Sequence, residues 1–220
     1  SMDGSKSITD RKFLLKTCYK IIFNSNWSKK RFLEGLENKF VNSNKLAVFY
    51  QSAEKGSKLL VNKKKKWITF VGKLNHSKGY DTFGRAIIRI LKNYKDWKSI
   101  VIGDEPREKH IFEHNKLKIL GFQKHNIVSK WFEKSDISVV CSRWNEPFGR
   151  TALEASSAGC AVIVSNRGGL PEASPKALKI FNLNAKNLEN AINKLVKKNN
   201  YKKSSLSLIH ISEPTRPIHI

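Results

Sequence analysis

The sequence predicts an α/β fold: a parallel sheet with helices packed on both of its faces. Three observations carry this. Short, continuous apolar runs recur between residues 67 and 181, too evenly apolar for strands with one wet face. Stretches of helical period lie between them, so successive strands are joined by crossovers rather than hairpins. Hydrophobic residues make up 40% of 220, enough for one sizeable core, and none of the apolar runs reaches the length of a membrane span.

Taken in order, residues 19–23 and 45–50 read as strands. Between them lies an amphipathic helix at 29–36, preceded by the capping types Asn24, Ser25, Asn26 and Ser28. Residues 51–66 are polar and Lys-rich, ending in four consecutive lysines, and read as a solvated linker. The main unit follows, with strands at 67–71, 99–102, 118–120, 137–141, 161–165 and 178–181. Helices are predicted at 80–93, 108–114, 126–133, 151–157 and 186–197. Such units have right-handed crossovers and bind ligands beyond the carboxyl ends of their strands. Residues 204–220 hold two prolines and show no helical period, and read as a non-native tail. The alternative is a genuine C-terminal strand or docking segment. Ser1-Met2 reads as a vector-derived scar. The expected division is therefore 1–50, a linker at 51–66, a main domain at 67–203 and the tail at 204–220.

Charge narrows the partners. Lys and Arg number 42 against 18 Asp and Glu, a net charge of +24. Such a chain attracts phosphate as nucleic acid, anionic lipid or a nucleoside diphosphate. The charge is scattered, and no nucleic-acid-binding motif stands out, so nucleic acid is not the expected partner. That alternative predicts salt-sensitive affinity for any DNA or RNA. The three cysteines form no C-x-x-C pair, and Cys141 and Cys160 sit in apolar runs. This reads as a reduced, cytoplasmic protein without a structural metal. His110 and His114 have helical spacing but no third ligand, and read as solvated helix residues.

Three loops directly follow strands. The first is Gly72-Lys73-Leu74-Asn75-His76-Ser77-Lys78-Gly79. The second, from Ser142 to Gly149, contains Glu146. The third is Asn166-Arg167-Gly168-Gly169-Leu170-Pro171-Glu172. If the sheet is parallel, all three emerge on one edge, which is the main argument for a single site there. The first loop pairs glycines, which allow close backbone approach, with lysines, which attract phosphate; it lacks the Gly-x4-Gly-Lys-Ser/Thr of a Walker A loop. Glu146 precedes a helix start and Glu154 lies about two turns into it. A helix N-terminus binds anions through its free N–H groups. The plain structural alternative is a capping acid and a solvated helix acid. A glycosidase pair would face each other across one bond, whereas these two share one loop–helix unit.

The stretch Glu-Pro-Phe-Gly-x4-Glu-Ala resembles the Glu-x7-Glu signature of the retaining glycosyltransferases of family 4, the group 1 enzymes of two-lobed GT-B fold. The first loop is similar to the family's Gly-Arg-Leu-x3-Lys-Gly, with Lys73 departing from Arg, and the third to its Gly-Gly-Leu-Pro-Glu. The resemblance implies a Rossmann-like C-terminal lobe preceded by a remnant of the N-terminal lobe. It implies transfer of a sugar from a nucleoside-diphosphate sugar to an acceptor hydroxyl with retention, in cell-envelope polysaccharide or lipopolysaccharide synthesis. Glu146 would be catalytic, orienting the sugar. The N–H groups of Phe148 and Gly149 would contact the sugar, and those of Arg150 and Thr151 the diphosphate. Lys73 and Lys78 would hold phosphate, Glu154 the ribose, and Gly121-Phe122-Gln123 would sit near the base. With no Asp-x-Asp in the chain, no metal and no further cofactor is expected. A glycan or lipid-linked acceptor and peripheral contact with anionic lipid at the inner face of the plasma membrane complete the implied partners. The alternative is a fragment that binds the nucleotide sugar without turnover.

Overall fold

The structure, a computed structural model, describes residues 7–41, 43–53, 64–108 and 110–197. The predicted tail, the N-terminal scar and most of the predicted linker lie outside the described residues. A first, smaller part contains α1 (Ile8–Thr17), β1 (Ile21–Phe23), α2 (Asn26–Leu33), α3 (Asn38–Val41) and β2 (Leu46–Val48). The main part runs β3 (Lys65–Val71), α4 (Tyr80–Asn93), β4 (Lys98–Ile102), β5 (Leu117–Ile119), α5 (His125–Lys134), β6 (Ser135–Val140), α6 (Arg150–Ser157), β7 (Ala161–Ser165), α7 (Leu170–Ala173), β8 (Leu178–Ile180) and α8 (Ala185–Lys197).

In the small part β1 and β2 pair in parallel around Leu15, Phe23 and Leu46. The two strand expectations hold here, and the helix begins at Asn26 rather than at 29, because Ser25 caps it by accepting from the Ser28 N–H. Helix α1 was not foreseen. Its apolar residues form no clear stripe, yet Ser7 and Asp10 make a reciprocal capping box that the sequence carries in plain view.

The main sheet has six strands, all parallel, in the order β5-β4-β3-β6-β7-β8. Each was predicted to within two residues at either end. Alternation along the strands feeds two cores. Ile68 and Phe70 of β3, Val101 of β4 and Ile163 of β7 face α4 and α8, whose Phe83, Ile87, Ile90, Leu188 and Ile192 are fully buried. Ile100 and Ile102 of β4 with Val162 and Val164 of β7 face α5 and α6, meeting Val128, Phe132, Ala152 and Ala155. The sheet is therefore covered on both faces and doubly wound, as expected.

Two expectations are corrected. Residues 108 and 110–114 are not helical. The connection from β4 to β5 crosses α4 as an irregular strap, anchored by Phe112, whose ring meets Tyr80 edge-on at 5.5 Å. A Cβ on Gly84 would sit 2.1 Å from that ring, so the glycine makes the seat. Tertiary packing of one aromatic outweighs a seven-residue helical pattern too short to persist alone. His110 and His114 are thus strap residues, not helix residues. The lysine run is not wholly linker either, since β3 begins at Lys65. Lys64 donates to the carbonyls of Phe132 (3.0 Å) and Ser135 (2.8 Å) at the end of α5, where a cation suits the helix dipole. Lys65 lies 4.9 Å from the Trp67 ring centre.

Candidate functional site

Strand order reverses at β3, which pairs with β4 on one side and β6 on the other. Loops leaving β3 and β6 part in opposite directions there and open a crevice. The loops that leave these two ends are Gly72–Gly79 and Ser142–Gly149. They bound a cleft of about 300 Å³ whose lining includes Gly72, Lys78, Glu146, Phe148, Gly149, Arg150 and Thr151.

Local hydrogen bonds hold each loop. Asn75 Oδ1 accepts from the Lys78 N–H and from Ser77 Oγ, both at 3.0 Å, a turn that presents Lys78. Gly79 has φ of 75°, and a Cβ there would lie 2.0 Å from the Cys141 carbonyl, so only glycine lets this loop lie against the end of β6. Ser77 O accepts from the N–H groups of Arg143 (2.8 Å) and Trp144 (3.1 Å), joining the first loop to the second. The Arg143 guanidinium spans the same seam. It donates to His76 O at 2.7 Å, to both carboxylate oxygens of Asp81 and to Thr82 Oγ1. Burial pushes the Asp81 carboxyl up, but the hydrogen bond and charge of Arg143 outweigh it, and its pKa lies below the ordinary value.

The third loop supports the second from behind. Gly169 N–H donates to Glu146 O at 2.7 Å. Gly168 has φ of 57°, and a Cβ on it would meet Glu146 O at 2.1 Å. These two glycines act on the Glu146 backbone and do not line the cleft. Glu146 itself pairs with Lys78 through Oε1 and Nζ, with 16% and 33% of the two side chains exposed. Positive and negative charge thus meet on one cleft wall.

Helix α6 begins at the cleft without a side-chain cap, since its N-cap is Gly149 with φ of 115°. The backbone N–H groups of residues 148–151 have no acceptor among the described residues. Two expected residues lie apart from the lining. Lys73 is exposed beyond the cleft edge, and Glu154 pairs with Arg150 at 3.2 Å, with His125 at 4.0 Å. The Phe148 ring is buried and stacks on Tyr50 with centroids 6.0 Å apart, so any contact it makes with a ligand is through its backbone. Phe122 is exposed, and Gln123 is tied to the Leu120 carbonyl at 2.7 Å. Among the described residues no group of three His, Cys, Asp or Glu could hold a metal ion.

Sequence reasoning missed the contribution of the small part. Asn24 and Gln51 line the cleft. Glu172 accepts from the N–H groups of Asn26 and Trp27, both at 2.7 Å, and from Tyr50 OH at 3.1 Å, so it caps α2 from across the molecule. Burial, then Glu172, raise the Tyr50 pKa. The only local signal was Asn24-Ser25, read as a cap alone.

Residues 51–207 match the family described as glycosyl transferases group 1. Among curated relatives, 2-deoxystreptamine N-acetyl-D-glucosaminyltransferase of Niallia circulans is 31% identical over 112 residues, covering 48% of this chain and 28% of that protein. Lipopolysaccharide core biosynthesis mannosyltransferase LpsB of Rhizobium meliloti (strain 1021) is 31% identical over 119 residues, 49% of this chain and 33% of that one. The matched region thus spans about a third or less of these relatives. Anabaena Alr3699/HepE, solved in complex with UDP-glucose, superposes with a TM-score of 0.72 at 18% identity, over 94% of this chain and 63% of that chain, a likeness of fold.

Proposed function

The chain belongs to the group 1 glycosyl transferases, and on that premise we propose that it is the donor-binding part of a retaining, family 4 enzyme. The enzyme moves a sugar from a nucleoside-diphosphate sugar to an acceptor hydroxyl. The observation that carries this reading is the run of four unaccepted N–H groups at residues 148–151, beside Lys78 and Arg150, in a cleft that also holds the Glu146 carboxylate. N–H groups and cations suit a diphosphate, and a carboxylate suits sugar hydroxyls.

In the proposed reaction the bond from the anomeric carbon to the diphosphate oxygen breaks, and its electron pair leaves with the diphosphate. A bond from the acceptor oxygen to the same carbon forms, and the hydroxyl proton is taken up by the departing phosphate. The charge that grows on the leaving group is met by Lys78, Arg150 and the start of α6, with no metal required of the protein. Glu146 orients the sugar through its hydroxyls. Glu154, beside Arg150, serves the ribose once a ligand draws the pair apart, and Lys73 serves the outer phosphate region. The acceptor is a glycan or lipid-linked saccharide of envelope synthesis, used at the cytoplasmic face of an anionic membrane. Support for this comes from the named lipopolysaccharide relative and the net charge of +24.

Calorimetric titration with UDP, GDP, ADP and their sugars tests the reading. One nucleoside diphosphate should bind saturably and selectively. Binding of none, or of duplex DNA alone with steep salt dependence, would refute it. A second reading is binding of the nucleotide sugar without turnover. Transfer of sugar by the purified chain would exclude it.

A further inference from the structure

The seam between the two parts of the chain leaves one side-chain amide with its oxygen engaged and its nitrogen without an acceptor among the described residues. Ser25 Oγ lies within reach of Pro147 O and of Ser28 Oγ, the latter at 3.0 Å. Ser28 Oγ lies within reach of Pro147 O at 3.0 Å and of Asn24 Oδ1 at 3.1 Å. Each hydroxyl carries a single proton. The arrangement that satisfies both acceptors has Ser25 donating to Pro147 and Ser28 donating to Asn24. The Asn24 oxygen is then engaged, while its amide nitrogen has no acceptor among the described residues. Asn24 lines the cleft that holds Lys78, Glu146 and Arg150.

The segment that carries Asn24 is held from three sides. Glu172 binds the N–H groups of Asn26 and Trp27, Tyr50 OH donates to the same carboxylate, and Ser25 is tied to Pro147 of the Glu146 loop. Its donor is therefore positioned before any ligand arrives, so little ordering is lost on binding. We propose that Asn24 is a ligand-contact and specificity residue: its Nδ2 donates to an oxygen of the nucleoside-diphosphate sugar. It lies outside residues 51–207, the stretch matched to the family. The inference rests on the function proposed above and adds a residue from the small part to the donor site.

The test uses the whole chain and two substitutions with opposite side effects. Asn24→Asp keeps the acceptor that Ser28 needs but removes the donor and adds charge. Asn24→Ala adds no charge but gives up the Ser28 contact. Affinities for UDP, GDP, ADP and their glucose conjugates are measured by calorimetry for both variants, for Lys78→Ala and for the unchanged chain, with thermal midpoints as a check on folding. Asn24→Ala should bind about tenfold more weakly, with the loss of one donated hydrogen bond, and Asn24→Asp more weakly still, because it also adds a negative charge. A loss with bare nucleotides assigns the contact to the diphosphate or nucleoside, and a loss with conjugates alone assigns it to the sugar. Weakening in Asn24→Asp alone is charge repulsion, weakening in Asn24→Ala alone is a failed seam, and either overturns the inference. If Lys78→Ala weakens binding and both Asn24 variants leave it unchanged, the inference falls and the proposed function stands. If the unchanged chain binds none of the six ligands, both fall.

Discussion

Replacing Lys78 tests how the cleft manages charge. Its ammonium pairs with Glu146, and the carboxylate is 16% exposed. Lys78→Ala removes a charge-assisted contact with a bound diphosphate, about 1.5–3 kcal/mol. It also leaves Glu146 without that cation while an anion enters the same cleft. At about 6 Å and an effective dielectric constant of about 20, two unit charges repel by roughly 3 kcal/mol. That repulsion acts in the parent as well, so the single substitution loses only the Lys78 contact and should weaken a bare nucleoside diphosphate by about 10–150-fold. Adding Glu146→Gln removes the repulsion but not the lost contact. The double variant should therefore bind the same nucleoside diphosphate about tenfold or more tighter than Lys78→Ala alone. The bare nucleotide matters, because Glu146 has no sugar to hold in that titration. Calorimetry at low and high salt reads both steps, and the recovery should shrink as salt rises. A double variant that binds no better than Lys78→Ala would refute the view that Glu146 faces the anion.

Two further outcomes follow from the loop supports. Arg143→Ala should cost about 1.5–3 kcal/mol of stability, measured by urea denaturation near neutral pH, because it strips the buried Asp81 of its bidentate partner. The Asp81 pKa is depressed in the folded chain, so its contribution is present above the unfolded carboxylate value and is lost as pH falls through the folded one. The gap between variant and parent should therefore narrow below about pH 4, and a gap unchanged in acid would contradict the assignment. Gly168→Ala should lower the thermal midpoint and weaken nucleotide binding together. A left-handed φ costs a side chain about 1–2 kcal/mol, and the new Cβ would press on the Glu146 carbonyl. Full affinity in a destabilised variant would show that the third loop does not hold Glu146 in place.

What the chain's order of residues determined was local. The six strands, the long helices α4 and α8, and the three loops at their ends were legible because strand and helix periods are set by which side chains meet water within one short window. The placement of Lys78, Glu146 and residues 148–151 near one edge followed from parallel pairing alone. The tertiary structure decided what those residues do to one another. Reversal of strand order at β3 sets Lys78 against Glu146, 68 positions apart, as an ion pair. Phe112 finds a seat on Gly84 and unmakes a helix that its own neighbours favoured. Glu172 caps a helix 145 positions away, and Asn24 reaches the cleft from the far end of the chain. None of these contacts has a sequence period. Each depends on which surfaces the packed sheet brings within hydrogen-bonding reach, and that is a property of the assembled layers rather than of any one segment.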